Sequence, residues 1–148
     1  MKKIILILLG LLFIGNLYAE NLNIVTRVID GDTIVINNKE KIRLIGVDTP
    51  ESVHPSKSVE YFAKEASVFT KRICEDKVVK LEYDWQRYDK YGRTLAYVYL
   101  EDGTFINAEI IKQGYGFVYT KFPFKYMIEF KKYQQLAREE ERGLWKKE

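Results

Sequence analysis

Short stretches of β-branched and of alternating apolar and polar residues predict five strands in this chain, at residues 24–30, 33–36, 41–47, 78–83 and 93–100. The first two are rich in β-branched residues and flank an Asp-Gly-Asp turn. In the third, Ile42 and Leu44 share one face, while Lys41 and Arg43 share the other. This pattern favours a sheet of short strands with one buried face.

Apolar positions recur at helical spacing after the third strand, and Ser58 is a suitable N-cap for a helix there. The buried face of this helix is formed by Val59, Phe62, Ala66, Phe69 and Ile73. A short helix at 106–113 ends before Gly114, and a longer charged helix at 127–142 ends before Gly143. This order of elements favours an α+β, mainly β-barrel fold, namely an oligonucleotide-binding (OB) barrel with helical additions.

Residues 1–19 have the pattern of an export signal. Lys2 and Lys3 precede an apolar run over residues 4–14, and Ala19 offers a small residue before a cleavage point. The run is shorter than the ~20 apolar residues that a membrane crossing needs, although an uncleaved membrane anchor stays open as the alternative. We therefore expect a cleaved signal peptide at 1–19 and a single domain at 20–148, secreted or periplasmic and monomeric.

Bulk charge does not make this chain a general binder of polyanions. Its 24 basic and 21 acidic residues give a net charge of +3. Removing Lys2 and Lys3 with the signal leaves 22 basic residues against 21 acidic ones, a net charge of about +1. Any binding of nucleic acid must therefore depend on where individual lysines and arginines lie.

The histidine and cysteine counts exclude several chemistries. His54 is the only histidine, so a two-histidine acid–base pair is impossible. Cys74 is the only cysteine, and its place in a helical apolar pattern favours a small buried hydrophobe over a nucleophile. The sequence also lacks a glycine-rich phosphate loop and a Ser/His/Asp set.

Acidic residues gather at the ends of the predicted strands. Asp30 and Asp32 follow the first strand, and Asp48 follows the third, which could bring it back beside them. Carboxylates with a backbone carbonyl and waters form an all-oxygen site that suits calcium or magnesium. Glu51 follows, and as an ionised carboxylate it could orient or deprotonate a water. Taken alone, each of these short stretches also fits an ordinary turn or loop.

Two arginines accompany the acidic residues. Arg43 lies in the third strand and Arg93 at the start of the fifth. Planar guanidinium groups can bind the phosphate of a phosphodiester bidentately, although each could also be a surface strand residue. Tyr91 could hydrogen-bond a terminal phosphate, and Tyr119 could stack on a base; a structural role fits both equally well. The combination predicts metal-dependent phosphodiester hydrolysis.

The chain resembles the staphylococcal nuclease (thermonuclease) family over nearly its whole mature length. The matching blocks are residues 28–33, 43–51 and 89–97, with further likeness at 59–60, 65–66, 107–114 and 143–145. The resemblance implies a five-stranded OB barrel with three helices. It also implies calcium-dependent hydrolysis of DNA and RNA, with single-stranded or unpaired regions preferred and 3′-phosphorylated products.

The resemblance also implies a role for each matching residue. Asp32, Asp48 and the carbonyl of Thr49 would hold calcium. Asp30 is expected to support these ligands without binding the ion itself. Glu51 would be the general base, Arg43 and Arg93 would bind the reacting phosphate, and Lys90 with Tyr91 would contact the terminal phosphate. Residues 85–88 and 116–124 depart from the family pattern, so Tyr119 matches only loosely.

Two other functions stay open from the sequence. A non-catalytic OB module that binds nucleic acid would be expected to lose Glu51 or one of the arginines. An envelope or adhesion module would not need Arg43 and Arg93 beside the acidic residues.

Overall fold

Five short strands close into a barrel in the computed structural model, which describes residues 22–51 and 61–147. They are β1 (Asn23–Asp30), β2 (Thr33–Ile36), β3 (Glu40–Leu44), β5 (Val78–Glu82) and β6 (Thr94–Leu100). The predicted signal peptide, His54, the Ser58 cap and the Val59 position of the predicted helix face lie outside the described residues. Within the described ranges, three helices accompany the barrel: α1 (Ala63–Cys74), α2 (Ile106–Lys112) and α3 (Met127–Glu139). The predicted five-stranded barrel with three helices is confirmed.

The barrel order is β1-β2-β3-β6-β5, with β5 pairing back to β1. The first three strands form an antiparallel meander, whose second turn uses Asn37 and Asn38 in the left-handed conformation. The pairing of β3 with β6 is parallel, whereas β5 and β6 are antiparallel. Because the barrel is closed, its strands leave no long edge unpaired.

The predicted third strand was too long. It ends at Leu44, and Gly46 turns the chain with a φ of +76°. The chain then forms β4 (Val47–Asp48), which pairs with β7 (Phe117–Val118) in a separate two-stranded sheet. This pairing holds residue 48 beside a segment some seventy positions further on, and local alternation carries no signal of it.

The helices cover the barrel through their apolar faces. Phe69 and Cys74 of α1, Ile110 and Ile111 of α2, and Phe130 of α3 are all buried in one core. The first helix begins at Ala63, later than the spacing predicted, because Phe62 adopts the left-handed conformation with φ +67°. Burial of this apolar surface is the main term that stabilises the fold.

Both predicted helix-ending glycines also take part in a backbone crossing. Gly114 and Gly143 have φ values of +75° and +52°, and the amide of Leu144 donates to the Gly114 carbonyl at 2.8 Å. The last helix ends at Glu139, earlier than predicted, and a 3₁₀ turn (Gly143–Trp145) follows. Within the part of the chain described, no helix is long and apolar enough to cross a membrane.

Candidate active site

The turn between β1 and β2 places Asp32 at the rim of the barrel. Its Oδ1 accepts from the Thr33 hydroxyl at 2.9 Å, and its Oδ2 accepts from the Thr49 amide at 3.0 Å. The turn approaches Thr49 closely, since a Cβ on Gly31 would lie 2.7 Å from the Thr49 hydroxyl oxygen. Only glycine fits there without movement. The two sequence blocks therefore meet through Asp32 and Thr49.

Arg43 brings the two candidate metal-binding aspartates to one point. Its Nη2 lies 3.1 Å from Asp32 Oδ2 and 3.3 Å from Asp48 Oδ1. Its Nη1 donates to the carbonyls of Leu44 and Val47, at 3.1 and 2.5 Å. The side chain is only 15% exposed, so solvent screens its attraction to the carboxylates less than it would at an open surface. Strand β3 thus presents a fixed guanidinium between two carboxylates.

Asp30 faces a different neighbour from Asp32. Its Oδ1 accepts from the Gly31 amide and from the hydroxyl of Ser67, on α1, at 3.1 Å. One turn along the same helix, Thr70 donates to the Gly31 carbonyl at 2.6 Å. Helix α1 therefore holds the turn between β1 and β2 in place. This position is compatible with the supporting role expected of Asp30, which stays a prediction.

The oxygen atoms around Asp32 fit a hard cation. The Thr49 hydroxyl is buried and, among the residues that the structure describes, has no hydrogen-bond partner; it lies in the loop that the Asp32 carboxylate binds. Across residues 22–51 and 61–147, no three His, Cys, Asp or Glu side chains gather as a metal cluster. Any ion beside Asp32 and Asp48 would thus have few protein ligands and several waters, as calcium and magnesium sites allow.

Strand pairing brings Arg93 close to Arg43. In the parallel pair, Arg43 is in register with Leu95, and Arg93 precedes β6 by one residue. The turn before β6 is closed by Asp89, whose Oδ1 accepts from the amides of Tyr91 and Arg93 and whose Oδ2 accepts from Arg93 Nε at 2.6 Å. The guanidinium is therefore held along its Nε edge.

Hydrogen bonding also fixes the charge of Asp89. Burial alone would raise the pKa of its carboxyl. The hydrogen bonds from the Arg93 amide and guanidinium and from the Tyr91 amide outweigh burial and hold that pKa below its usual range. Asp89 therefore stays ionised and keeps Arg93 oriented at neutral pH.

A cavity of about 430 Å³ joins most of the candidate substrate-binding residues. It is lined by Arg43, Asp48, Lys90, Tyr91, Arg93 and Tyr119. The amide of Tyr119 donates to the Gly46 carbonyl at 3.0 Å. This bond fixes the start of the segment 119–124, which also lines the cavity. The candidate residues of the Arg43 block, of the Arg93 block and of the loop with Tyr119 thus share one concave surface.

Glu51, Asp32 and Thr49 do not line this cavity. Thr49 and Asp32 are buried, whereas Glu51 is exposed three residues beyond Asp48. Of the ion-binding candidates, Asp48 therefore reaches the cavity surface that carries the arginines, and Asp32 and Thr49 lie beneath it. The catalytic role of Glu51 stays a prediction.

A larger cavity of about 540 Å³ lies elsewhere, against α1 and the end of α2. Its lining includes Arg72, Tyr115 and Arg142 and none of the residues predicted for the site. Volume alone would favour this second cavity, but the arginine-containing cavity is the better candidate on its chemistry.

Sequence reasoning missed the outer part of the cavity. Trp85, Lys121, Phe122 and Phe124 all line it, yet the stretches containing them were noted only as departures from a family pattern. Phe124 packs over Gly46, where an added Cβ would lie 2.5 Å from its ring. The sequence signal available was the clustering of large aromatic residues with lysine in 119–126.

Asp84 ties the two outer loops together. Its carboxylate accepts from the Tyr97 hydroxyl at 2.5 Å, the Lys125 amide at 2.9 Å and the Trp85 amide at 2.8 Å. Trp85 Nε1 in turn donates to the Pro123 carbonyl at 2.9 Å. Burial favours a raised pKa for Asp84, but these hydrogen bonds outweigh it and lower the pKa. Burial, and then the bond to Asp84, raises the pKa of Tyr97.

Glu82, the last residue of β5, supplies a second carboxylate that holds the segment before α3. Glu82 accepts from Lys125 Nζ at 2.6 Å and from the hydroxyls of Tyr99 and Tyr126, each at 2.9 Å. Burial opposes ionisation of Glu82, yet the hydrogen bonds from Lys125 and the tyrosines lower its pKa. The segment before α3 is therefore held against the barrel at two neighbouring points.

Known proteins place this chain in one family. The model of staphylococcal nuclease homologues matches residues 41–147. The chain is 44% identical to a thermonuclease of Staphylococcus intermedius over 128 residues, or 84% of this chain and 76% of that protein. It is 43% identical to a thermonuclease of Staphylococcus hyicus, over 82% of this chain and 73% of that protein.

A Bacillus subtilis relative extends the comparison. Endonuclease YncB is 39% identical over 127 residues, which span 82% of this chain and 60% of that protein. The match of the family model begins within β3, so it covers the later strands, the three helices and every residue of the candidate site from Arg43 onward, whereas β1 and β2 precede it. The closed five-stranded barrel and these matches agree: the chain belongs to the staphylococcal nuclease family.

Proposed function

We propose that this protein is a calcium-dependent nuclease that hydrolyses phosphodiester bonds in DNA and RNA and leaves 3′-phosphorylated products. The observation that carries the proposal is the placement of Arg43, which contacts both Asp32 and Asp48 and lines the same cavity as Arg93. Membership of the family, and relatives named as thermonucleases and as an endonuclease, support the same activity.

The carboxylates of Asp32 and Asp48 and the carbonyl of Thr49 would hold the ion. Their oxygen atoms suit calcium, and the buried Thr49 hydroxyl, which has no hydrogen-bond partner among the described residues, is a further oxygen in the same loop. A bound calcium would supply positive charge next to the phosphate and make a bound water more acidic. Asp30 and Ser67 would keep the turn in place from the α1 side.

Arg43 and Arg93 would bind the phosphate and stabilise the charge that develops on it. The Leu44 and Val47 carbonyls and Asp89 hold the two guanidinium groups before substrate arrives. Preorganised donors need no reorientation during the reaction, so they lower the barrier more than mobile ones would. Lys90 and Tyr91, in the same turn as Asp89, would contact a neighbouring phosphate.

Glu51 would accept a proton from the attacking water or orient it. Its exposed position past the metal-binding loop leaves it accessible to water. An ionised carboxylate beside a cation is a weak base, so positioning of the water would be a large part of its role.

We also propose that the mature chain begins at residue 20 and acts outside the cytoplasm, as a monomer. The basic start and apolar run over residues 1–19 support the export. Amino-terminal sequencing of protein from the culture medium and periplasm would test it. Recovery of uncleaved chain in the membrane fraction would favour an anchor instead.

The decisive experiment is a cleavage assay with purified residues 20–148. Single-stranded DNA and RNA are incubated with calcium or with chelator, beside Glu51→Gln and Arg93→Lys. We expect calcium-dependent cleavage by the wild type, with a loss of at least about 100-fold in kcat for either variant, as removal of a transition-state contact typically gives. Arg93→Lys keeps the charge but loses the planar fork.

Product ends and binding distinguish the alternatives. Resistance of the 3′ ends to extension until a phosphatase is added would support 3′-phosphates. Binding of DNA without cleavage at any calcium concentration would point to a non-catalytic OB module. If Glu51→Gln cleaves as fast as the wild type, the role given to Glu51 is wrong even though the nuclease stands.

A further inference from the structure

Two large aromatic side chains stand exposed at the mouth of the arginine-containing cavity. Trp85 is 67% exposed and Phe122 is 50% exposed, and both line the cavity together with Arg43 and Arg93. Exposed apolar rings are costly beside water, and when they line a cavity they often mark a binding site. We refer to Trp85 and Phe122 together as the aromatic rim.

The aromatic rim is built in advance of any ligand. The indole N–H of Trp85 is fixed to the Pro123 carbonyl, and its backbone amide is fixed to Asp84. Asp84 also binds the amide of Lys125, so the loops carrying Trp85 and Phe122 are joined on both sides. A ligand would therefore lose little affinity to the ordering of these side chains.

Positive charge accompanies the aromatic rim. Lys121 and Lys90 line the same cavity, and Lys121 Nζ lies 5.8 Å from the centre of the Phe122 ring. The Tyr119 ring is 6.3 Å from the Phe122 ring. Aromatic faces interleaved with cations are the features that bind single-stranded nucleic acid, whose bases stack while its phosphates pair with the cations.

We propose that Trp85 and Phe122 form a stacking subsite for an unpaired nucleobase next to the phosphate held by Arg43 and Arg93. This inference rests on the proposed nuclease function and deepens it, because it names two residues that select the substrate. A base inside a duplex has both faces covered by its neighbours, so the aromatic rim can stack only on a base that is unpaired or flipped out.

The test compares Trp85→Ala with the wild type on a single-stranded oligonucleotide and on a hairpin duplex of the same sequence. Loss of one stacked ring should raise KM for the single strand roughly tenfold, leave kcat within about twofold, and reduce the preference over the duplex. Trp85→Phe keeps a ring and should restore most of the affinity. Tyr88→Ala is the matched control, because Tyr88 is an exposed aromatic in the same loop that does not line the cavity.

A scan with abasic nucleotides locates the base. One abasic position near the cleaved bond should slow the wild type at least as much as Trp85→Ala or Phe122→Ala does. It should slow each of these variants less than the wild type, and the double variant no further. If every abasic substrate slows wild type and both variants equally, the stacking subsite is wrong.

Tryptophan fluorescence separates binding from cleavage. The chain has two tryptophans, so Trp145→Phe leaves Trp85 as the only one. Titration with a cleavage-resistant phosphorothioate oligothymidylate should quench its emission in a saturable way. Unchanged emission at saturating oligonucleotide would overturn the proposal. Failure of the wild type to cleave would instead defeat the nuclease proposal, because this signal reports contact with Trp85 alone.

Discussion

Replacing Asp84 with asparagine tests whether one carboxylate holds the outer wall of the cavity together. In the folded protein this carboxylate accepts three hydrogen bonds, from Tyr97, Lys125 and Trp85. The amide of asparagine is nearly the same size but can present only one accepting oxygen. The substitution therefore places an N–H group against at least one of these donors, with little change in volume.

The expected loss of stability follows from those contacts. A hydrogen bond to a charged group contributes about 1.5–3 kcal/mol, and a donor left without a partner adds a further cost when it is buried. Since Asp84 is only half-buried, we expect a loss near the lower end, about 2 kcal/mol in the free energy of unfolding. For a domain of this size that corresponds to a fall in Tm of roughly 6–12 °C.

The pH dependence gives a second, independent readout. The folded protein lowers the pKa of Asp84, so its contribution is fully present above the unfolded value of ~3.9 and is lost as pH falls through the folded value. The stability difference between wild type and Asp84→Asn should thus be constant from about pH 5 to 7. It should shrink as the pH is lowered below about 4.

Urea unfolding followed by far-ultraviolet circular dichroism provides the assay, because it does not depend on Trp85. Asp102→Asn is the control, since Asp102 is an exposed turn residue that accepts from the amide of Thr104. The control should cost clearly less than Asp84→Asn. A difference below about 0.5 kcal/mol for Asp84→Asn, or one that does not change with acid, would refute the reasoning.

Three further predictions concern single positions. Gly114→Ala should cost about 2 kcal/mol or more in urea unfolding, because its Cβ would collide with the Arg142 carbonyl and its φ is +75°. Gly31→Ala should reduce kcat by about tenfold or more, because its Cβ would displace Thr49 from the candidate metal site. Its loss of stability should be smaller than that of Gly114→Ala. Cys74 should resist thiol reagents at pH 8 until the protein unfolds, because burial raises its pKa to about 12.

The barrel could be predicted because its strands are specified locally. In β3, Ile42 and Leu44 alternate with polar residues and are buried in the fold, and the turn-forming Asp-Gly-Asp sequence separates β1 from β2. The break after Leu44 could not be predicted in the same way. Gly46 is needed there because the Phe124 ring lies against it, a contact made by a residue nearly eighty positions away.

Arg43 and Arg93 could both be predicted as phosphate-binding residues, but their closeness in the fold could not. Nothing in the sequence near Arg43 or Arg93 shows that their strands are parallel neighbours, which is what brings both to one cavity. The resemblance to a known family supplied that relation in place of physical reasoning. The structure adds why each is rigid, since backbone carbonyls hold Arg43 and Asp89 holds Arg93.

The aromatic rim could not be predicted because neither Trp85 nor Phe122 carries a functional signal in its own stretch of sequence. Trp85 follows a strand and Phe122 precedes a helix, and each alone fits an exposed loop residue. Asp84 gives them a common role, because its hydrogen bonds to the Trp85 and Lys125 amides span about forty positions of sequence. If Asp84→Asn loosens this wall, the affinity for single strands should fall along with stability, whereas kcat should stay nearly unchanged, since Asp89 still holds Arg93. Stability and substrate selection would then depend on the same carboxylate, while the chemistry of phosphate cleavage would not.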